Sequence, residues 1–587
     1  MNARHFGPRL TSEGVTFNLW APAAKSADVI LDKPYPMAKA DDGWFSFTSK
    51  EAKAGSLYKF RIDGHLDVPD PASRFQPQDV PGPSEIVDHA AYQWRADQWR
   101  GRPWHEAVFL ETHVGTFTSQ GTYRAMIERL DHLVQTGITA LELMPLADFP
   151  GRWNWGYDGV LWYAADHTYG RPDDLKALID EAHLRGLMVF LDVVYNHFGP
   201  DGNYLGTYAP AFFSDSQTPW GNAIDYRVPE VRQFAIQNAL HWLDEFRFDG
   251  LRLDAVHAIT EPGELHLLHE LSQSVGLLAE SSRRHIHLVL ENDDNCANLL
   301  DPDEDPLRSK YRAQWNDDYH HAWHVFLTGE NTGYYGDYSA PRENIAKILK
   351  SGFSYQGEAS AHRGGASRGE PSGHLSPSAF VNFLQNHDQI GNRALGDRLN
   401  GSASPASVEA ALAVTLLAPM SPLLFMGEEW GATSPFPFFC DFSGDLADAV
   451  RQGRRREFGA AYEKYGNDIP DPLDERTFKS AQLDWSNIDQ TPFRERLHLV
   501  RDLLAIRRTE ITPRLAGCKF GSANITGETL LRAQWRLGDG SVLRLVANLS
   551  GTAIEKPKIG TSGRCIWGNP DAAKLNPWSV YWTLGEQ

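Results

Sequence analysis

Arg252 and Asp254 stand two residues apart in a short apolar run, Leu251 to Val256, that follows the turn-forming pair Asp249-Gly250. In a strand, alternate residues share a face. The guanidinium and the carboxylate therefore project together, with Leu251, Leu253 and Ala255 on the other side. A carboxylate beside a guanidinium stays ionised and oriented at neutral pH, which suits a nucleophile. A single Arg-x-Asp pair is most often an ordinary ion pair at a strand end. Three further apolar runs, however, end in the same way. They are Val189-Phe-Leu-Asp192, followed by Val-Val-Tyr-Asn196-His197; Leu288-Val-Leu-Glu291-Asn292; and Phe383-Leu-Gln-Asn-His387-Asp388. Four such ends in order, with His and Arg beside them, point to carboxylate catalysis.

The elements that would position these ends alternate regularly. Met126, Ile127, Leu130, Leu133 and Val134 have helical spacing and stop at Gly137; Leu175, Leu178, Ile179 and Ala182 do the same and stop at Gly186. Strand-like runs lie at Val108–Leu110, Ile138–Met144, Leu187–Val194, from Leu251, and at Ile286–Leu290, Ala313–Trp315, Phe380–Leu384 and Leu423–Met426. Continuous apolar runs fit parallel strands covered on both faces. Eight of them, separated by helical segments, predict a (β/α)8 TIM barrel of the α/β class over residues 107–512, with polar residues at the strand C-termini forming the site. Residues 1–92 carry short alternating runs separated by Asp42-Gly43 and Asp63-Gly64 turns, an N-terminal β-sandwich. A linker spans 93–106. Residues 513–587 return to β pattern around Gly538-Asp-Gly540, a C-terminal antiparallel β domain.

Composition narrows the function further. The chain has 587 residues, 42% apolar and 22% charged, as soluble multidomain proteins do. A net charge of −20 argues against nucleic acid or an anionic membrane as partner. The uncharged stretch Ala410–Met426 contains Pro419 and Pro422 and reads as a helix followed by a buried strand. No secretory signal opens the chain, and four scattered cysteines without a Cys-x-x-Cys pair read as free thiols, so a cytoplasmic location is expected.

At the four acidic strand ends the chain resembles the α-amylase family of glycoside hydrolases. Asp192-Val-Val-Tyr-Asn-His197, Gly250-Leu-Arg-Leu-Asp-Ala-Val-His257, Leu290-Glu-Asn292 and Phe383-Leu-Gln-Asn-His-Asp388 match its four signature regions in order. The resemblance implies that Asp254 is the nucleophile, Glu291 the general acid/base and Asp388 a third carboxylate that binds and distorts the sugar being cleaved. It implies that Arg252 keeps Asp254 charged and that Asp192 braces the site. His197 and His387 would bond sugar hydroxyls, and Tyr157 would form an aromatic platform. His257 would face the leaving-group sugar. The N-terminal sandwich resembles the module preceding the barrel in debranching and branching enzymes. Asn154–Gly159, Asn196–Tyr204, Glu291–Asn295, Gln385–Arg393 and Met426–Trp430 narrow the resemblance to members acting on maltooligosyltrehalose, an α-glucan oligosaccharide. These cleave the α-1,4 bond next to its terminal trehalose unit. An enzyme acting on α-1,6 bonds and a non-catalytic binding protein that kept the barrel stay open as alternatives.

In many amylases the counterpart of Asn196 helps to bind calcium. Residues 198–228 lack the acidic cluster that would complete such a site, so neither a required metal nor any other cofactor is expected. Gly365-Ala-Ser-Arg-Gly369 has the spacing of a serine-hydrolase elbow but sits in a polar loop rather than between strand and helix. His320 and His324 could face one way without a third ligand, and Arg454-Arg-Arg456 reads as a solvated helix face.

Overall fold

The structure is a computed structural model that describes residues 4–218, 220–259, 266–300, 310–459, 466–555, 563–569 and 574–586. Its centre is a closed barrel of eight parallel strands: β1 (Phe109–Thr112), β2 (Ala140–Leu143), β3 (Met188–Val193), β4 (Gly250–Leu253), β5 (His287–Leu290), β6 (Ala313–Trp315), β7 (Phe380–Asn382) and β8 (Ser421–Phe425). They neighbour one another in chain order, and β8 closes onto β1 through Phe109↔Leu423 and Glu111↔Phe425.

The strand period divides each run between two cores. Leu110, Leu141, Val189, Leu191, Leu251, Leu253, Leu288 and Leu290 belong to the outer core beneath the surrounding helices. Phe109, Ala140, Met188, Phe190, Val289, Ala313, Trp315, Val381, Phe383 and Leu423 form a separate inner cluster, with Trp104. Climbing one inner position at a time, the apolar plug gives way to charge. Phe190 is followed by Asp192, Val289 by Glu291, Trp315 by Asp317, Phe109 by Glu111 and Gly250 by Arg252 and then Asp254. Gly250 is required by packing, since a Cβ there would lie 2.2 Å from the Phe190 ring and 2.5 Å from the His287 carbonyl. The apolar plug below and the helices around close the barrel beneath these charged groups.

The expected helices surround it, among them α1 (Leu130–Thr136), α2 (Pro172–Leu184), α3 (Pro229–Leu240), α4 (Asp317–Thr328), α5 (Pro405–Leu417), α6 (Gly444–Glu457) and α7 (Phe493–Ile506). Gly137 ends α1 in the left-handed region that favours glycine, at φ 100°. Helix α5 and strand β8 account for the uncharged stretch, both buried against the barrel.

Residues ahead of the barrel form two facing antiparallel sheets, one ordered Arg9–Thr11, Gly14–Trp20, Trp44–Ser49, Ala38–Lys39 and the other Pro34–Pro36, Ala27–Ile30, Leu57–Ile62, Leu66–Val68. Phe17, Leu19, Val29, Tyr58 and Phe60 are buried between them. Phe6 meets α3 edge-on at Phe234, ring centres 5.0 Å apart. Beyond α7 a five-stranded sheet runs in the order Lys519–Thr526, Leu530–Arg536, Val542–Asn548, Val580–Gly585, Arg564–Trp567. Two buried tryptophans tie it to the barrel layer: Trp535 donates to the Leu349 carbonyl at 3.0 Å and Trp582 to the Ala413 carbonyl at 3.1 Å.

Candidate active site

The Arg252 guanidinium lies at the centre of the charged upper layer, its face 4.3 Å from the Trp315 ring centre. One terminal nitrogen donates to Asp192 Oδ2 and Asp254 Oδ1, each at 2.7 Å, and the other lies 3.7 Å from Glu291 Oε2. Asn196 donates its amide to Asp254 Oδ2 at 2.8 Å and to the Asp254 carbonyl at 3.0 Å. Both oxygens of Asp254 are thus held by donors. Burial alone would raise its pKa, but Arg252 foremost, with His197 and Asn196, brings it below the usual aspartate value. Ala255 then turns the chain through φ 42°, a region unusual for a residue with a Cβ, and its N–H donates to Glu291 Oε2. Glu291 moves the opposite way. Burial, with the charge of Asp254 beside it, raises its pKa above the usual glutamate value despite Arg252. One carboxylate is kept ionised and its neighbour kept ready to hold a proton, the split that general acid and nucleophile require.

The cleft above these groups is lined by Tyr157, His197, Arg252, Asp254, His257, Glu291, His387 and Asp388, so eight of the nine residues expected from sequence share one cavity. Asp192 lies one layer deeper, its Oδ2 accepting from the Tyr157 hydroxyl at 2.6 Å and from Arg252. Tyr157 stacks on His387 with ring centres 5.0 Å apart. His387 Nδ1 meets the Glu111 carboxylate, and burial, which would lower its pKa, is outweighed by that charge, so the imidazole is held protonated more readily than usual. Its Nε2 makes no hydrogen bond among the described residues and is free to donate to a sugar oxygen. His197 differs: Nε2 lies 2.8 Å from the Tyr157 carbonyl and Nδ1 meets the Asn196 amide oxygen, so its ring frames the cleft chiefly by shape. Asn196 is committed to Asp254 and His197.

Several cleft residues escaped the sequence reading. Asp317 opens α4 directly after β6 and makes no hydrogen bond among the described residues. Burial, then the charges of Glu291, Asp293 and Asp388, pushes its carboxyl well up, so it is poised as a hydrogen-bond donor. Trp220, 47% exposed, stacks on His197 with ring centres 4.5 Å apart and planes 2° from parallel. Arg454 corrects the expectation of a wholly solvated run. Arg455 and Arg456 are exposed, but the Arg454 guanidinium lies 4.3 Å over Phe438 at the cleft wall and donates to Asn392 at 3.0 Å. Asn392 in turn donates to Asp388 Oδ1 at 2.6 Å.

The loop over residues 357–378 secures the segment after Glu291. Arg368 donates to the Asp293 carbonyl and to Asp293 Oδ1, both at 2.8 Å, and lies 3.1 Å from Asp318; Arg363 donates to Asp294 Oδ1 at 2.6 Å. Asp293 N–H donates to His257 Nδ1 at 3.2 Å. Ser367 donates to the Gly357 carbonyl inside this loop and has no nucleophile's setting. Arg368→Ala is expected to lower kcat/KM by about 100-fold, the scale for misplacing a catalytic group by an ångström. Steady-state kinetics against the milder Arg363→Ala checks this.

Comparison with known proteins agrees with the geometry. The family described as α-amylase catalytic domain matches residues 102–220, carbohydrate-binding module 48 (isoamylase N-terminal domain) matches residues 5–74, and a domain of unknown function matches residues 518–582. The malto-oligosyltrehalose trehalohydrolase of Deinococcus radiodurans is 43% identical over 564 residues, 94% of this chain and 92% of its own. That of Saccharolobus solfataricus is 41% identical, over 86% of this chain and 87% of its own. A crystal structure described as a putative α-amylase from Salmonella typhimurium superposes with a TM-score of 0.93 at 41% identity, covering 100% of both chains. A pullulanase from Paenibacillus barengoltzii, at 18% identity and a TM-score of 0.74, shares the fold. With identities of this size over nearly whole chains, this chain belongs to the malto-oligosyltrehalose trehalohydrolases of the α-amylase family.

Proposed function

We propose that the protein hydrolyses the α-1,4-glucosidic bond next to the terminal trehalose unit of maltooligosyltrehalose, with retention of configuration, releasing trehalose and a maltooligosaccharide. The observation that carries the chemistry is the opposed setting of two carboxyls around one guanidinium: Asp254 held ionised, Glu291 held toward its acid form. Asp254 attacks the anomeric carbon while Glu291 protonates the departing glycosidic oxygen. A water then enters where the leaving group stood, Glu291 takes its proton, and the glycosyl–Asp254 bond breaks. Asp388 and the free Nε2 of His387 bind hydroxyls of the sugar being cleaved, and Tyr157 carries its apolar face. His257, Asp317 and the segment after Glu291 supply the wall for the leaving group. No cofactor takes part in these steps. A cytoplasmic location belongs to the same proposal and is supported by four free thiols. Among the described residues no helix is long and apolar enough to cross a membrane.

Incubation with glycogen, maltoheptaose and a maltooligosyltrehalose separates this reading from an α-1,6-acting one. Trehalose release from the third, with slow attack on the first two, is expected. Preferential branch removal from glycogen would favour the alternative, and inertness toward all three would favour a binding protein.

The same pair sets the pH profile. Activity requires Asp254 ionised and Glu291 protonated, so kcat/KM falls as pH drops through the lowered pKa of Asp254 and as pH rises through the raised pKa of Glu291. The alkaline limb should vanish in Glu291→Gln and persist in both His387→Asn and Asp317→Asn, which separates the acid/base from the other raised groups facing the cleft.

A further inference from the structure

The loop that presents Tyr157 leaves the barrel after β2 and returns toward α2. Its neck is a short antiparallel pair, Ala147–Asp148 against Leu161–Ala165, in which Ala147 faces Ala165 and Asp148 faces Leu161. Asp148 sits on the outgoing arm; Asp166 and His167 follow the returning one. Both carboxylates are fully buried and His167 is partly buried. One donor atom from each residue can be chosen so that all three lie within 4.8 Å of one another. His167 Nδ1 is 3.5 Å from Asp148 Oδ1 and 3.9 Å from Asp166 Oδ1.

Hydrogen bonding satisfies Asp166 more fully than Asp148, whose Oδ1 meets His167 Nδ1 at 3.5 Å. Asp166 accepts from Thr168 N–H at 2.8 Å, from the Thr168 hydroxyl, and from Phe149 N–H at 3.2 Å. Asp148 Oδ2 is buried and has no partner. The Tyr123 hydroxyl, also buried without a partner, lies within electrostatic range of both carboxylates. Two carboxylates buried together with an idle oxygen carry a large desolvation cost that a cation would remove.

We propose that Asp148, Asp166 and His167 bind one small divalent cation of the Mn2+ or Zn2+ class, which clips together the two arms of the loop carrying Tyr157. Two carboxylates neutralise a dication, and a mixed carboxylate–imidazole donor set suits this class. Ca2+ is disfavoured, since it takes six to eight oxygen ligands. With metal–ligand bonds of about 2.1 Å at a tetrahedral angle, ligands stand roughly 3.4 Å apart, and His167 Nδ1, at 3.5 Å and 3.9 Å from the two carboxylates, is already near that spacing. The site is distinct from the position beside Asn196, whose side chain is committed to Asp254 and His197. Its role is structural and does not depend on the proposed substrate.

The test uses the full chain, stripped with a chelator and desalted, titrated with Mn2+ alone and followed by loss of the free-ion electron paramagnetic resonance signal. One Mn2+ per chain is expected, with affinity falling at least tenfold in both Asp148→Asn and His167→Gln. Melting temperature should rise with Mn2+ in the wild type and not in His167→Gln, whose partly exposed site makes loss of fold easy to exclude by circular dichroism. If Asp148→Asn does not fold, His167→Gln decides alone. Absence of stoichiometric binding up to about 1 mM, a weak-affinity limit, would overturn the proposal, as would binding unchanged in folded His167→Gln.

Discussion

Asp254→Ala should lower kcat by at least about 1,000-fold, on the order of 4 kcal/mol of lost transition-state stabilisation, while the protein remains folded. Without the carboxylate there is no covalent intermediate, and the Arg252 guanidinium keeps Asp192 and Glu291 as neighbours, so its charge is not left bare. The variant also loses one of the two acceptors of the Asn196 amide, the Asp254 carboxylate, and keeps the other, the Asp254 carbonyl. A modest fall in melting temperature is expected for that reason. Purified, folded Asp254→Ala keeping more than about a tenth of wild-type turnover, a loss of only ~1.4 kcal/mol, would remove Asp254 from the nucleophile's role.

Much of this site could be read in the chain because a barrel strand writes its layers as a period of two. Phe190 before Asp192, and Val289 before Glu291, place an apolar residue in the plug and an acid above it. The same rule would have found Asp317, two positions after Trp315, and Glu111, two after Phe109. Neither stands out in the chain, because β6 is only three residues long and Glu111 lies inside the first strand rather than at its end. Arg454 and Trp220 were not legible in this way. Arg454 lies on α6 beyond the last barrel strand, and Trp220 at the tip of a hairpin made by Phe213–Thr218 and Gly221–Ile224. Their place at the cleft depends on how those segments fold back, which no local period encodes. His197 teaches the converse: its motif foretold its place in the cleft, but only the structure reveals that both ring nitrogens face protein oxygens.

The wall proposed to select the leaving group is built largely from groups bound to one another. Arg363 and Arg368 grip Asp293 and Asp294, and the Asp293 N–H donates to His257, while Asp317 lines the same cleft within electrostatic range of Glu291 and Asp388. A wall of fixed polar groups discriminates by geometry, since a sugar that fails to meet them leaves them unpaired. Trehalose, two glucose rings joined through both anomeric carbons, is compact and has no reducing end. Linear maltose cannot present the same hydroxyls in the same places.

The most direct measurement compares maltotriosyltrehalose with its linear isomer maltopentaose, following each at early times by proton nuclear magnetic resonance. The substrate reading predicts trehalose and maltotriose from the first, with little glucose or maltose, at a rate on the order of 100-fold above cleavage of the second. The double displacement through Asp254 predicts that the new maltotriose appears first as the α-anomer. Equal rates on the two isomers would contradict the trehalose-releasing function, and β-maltotriose appearing first would contradict the role given to Asp254.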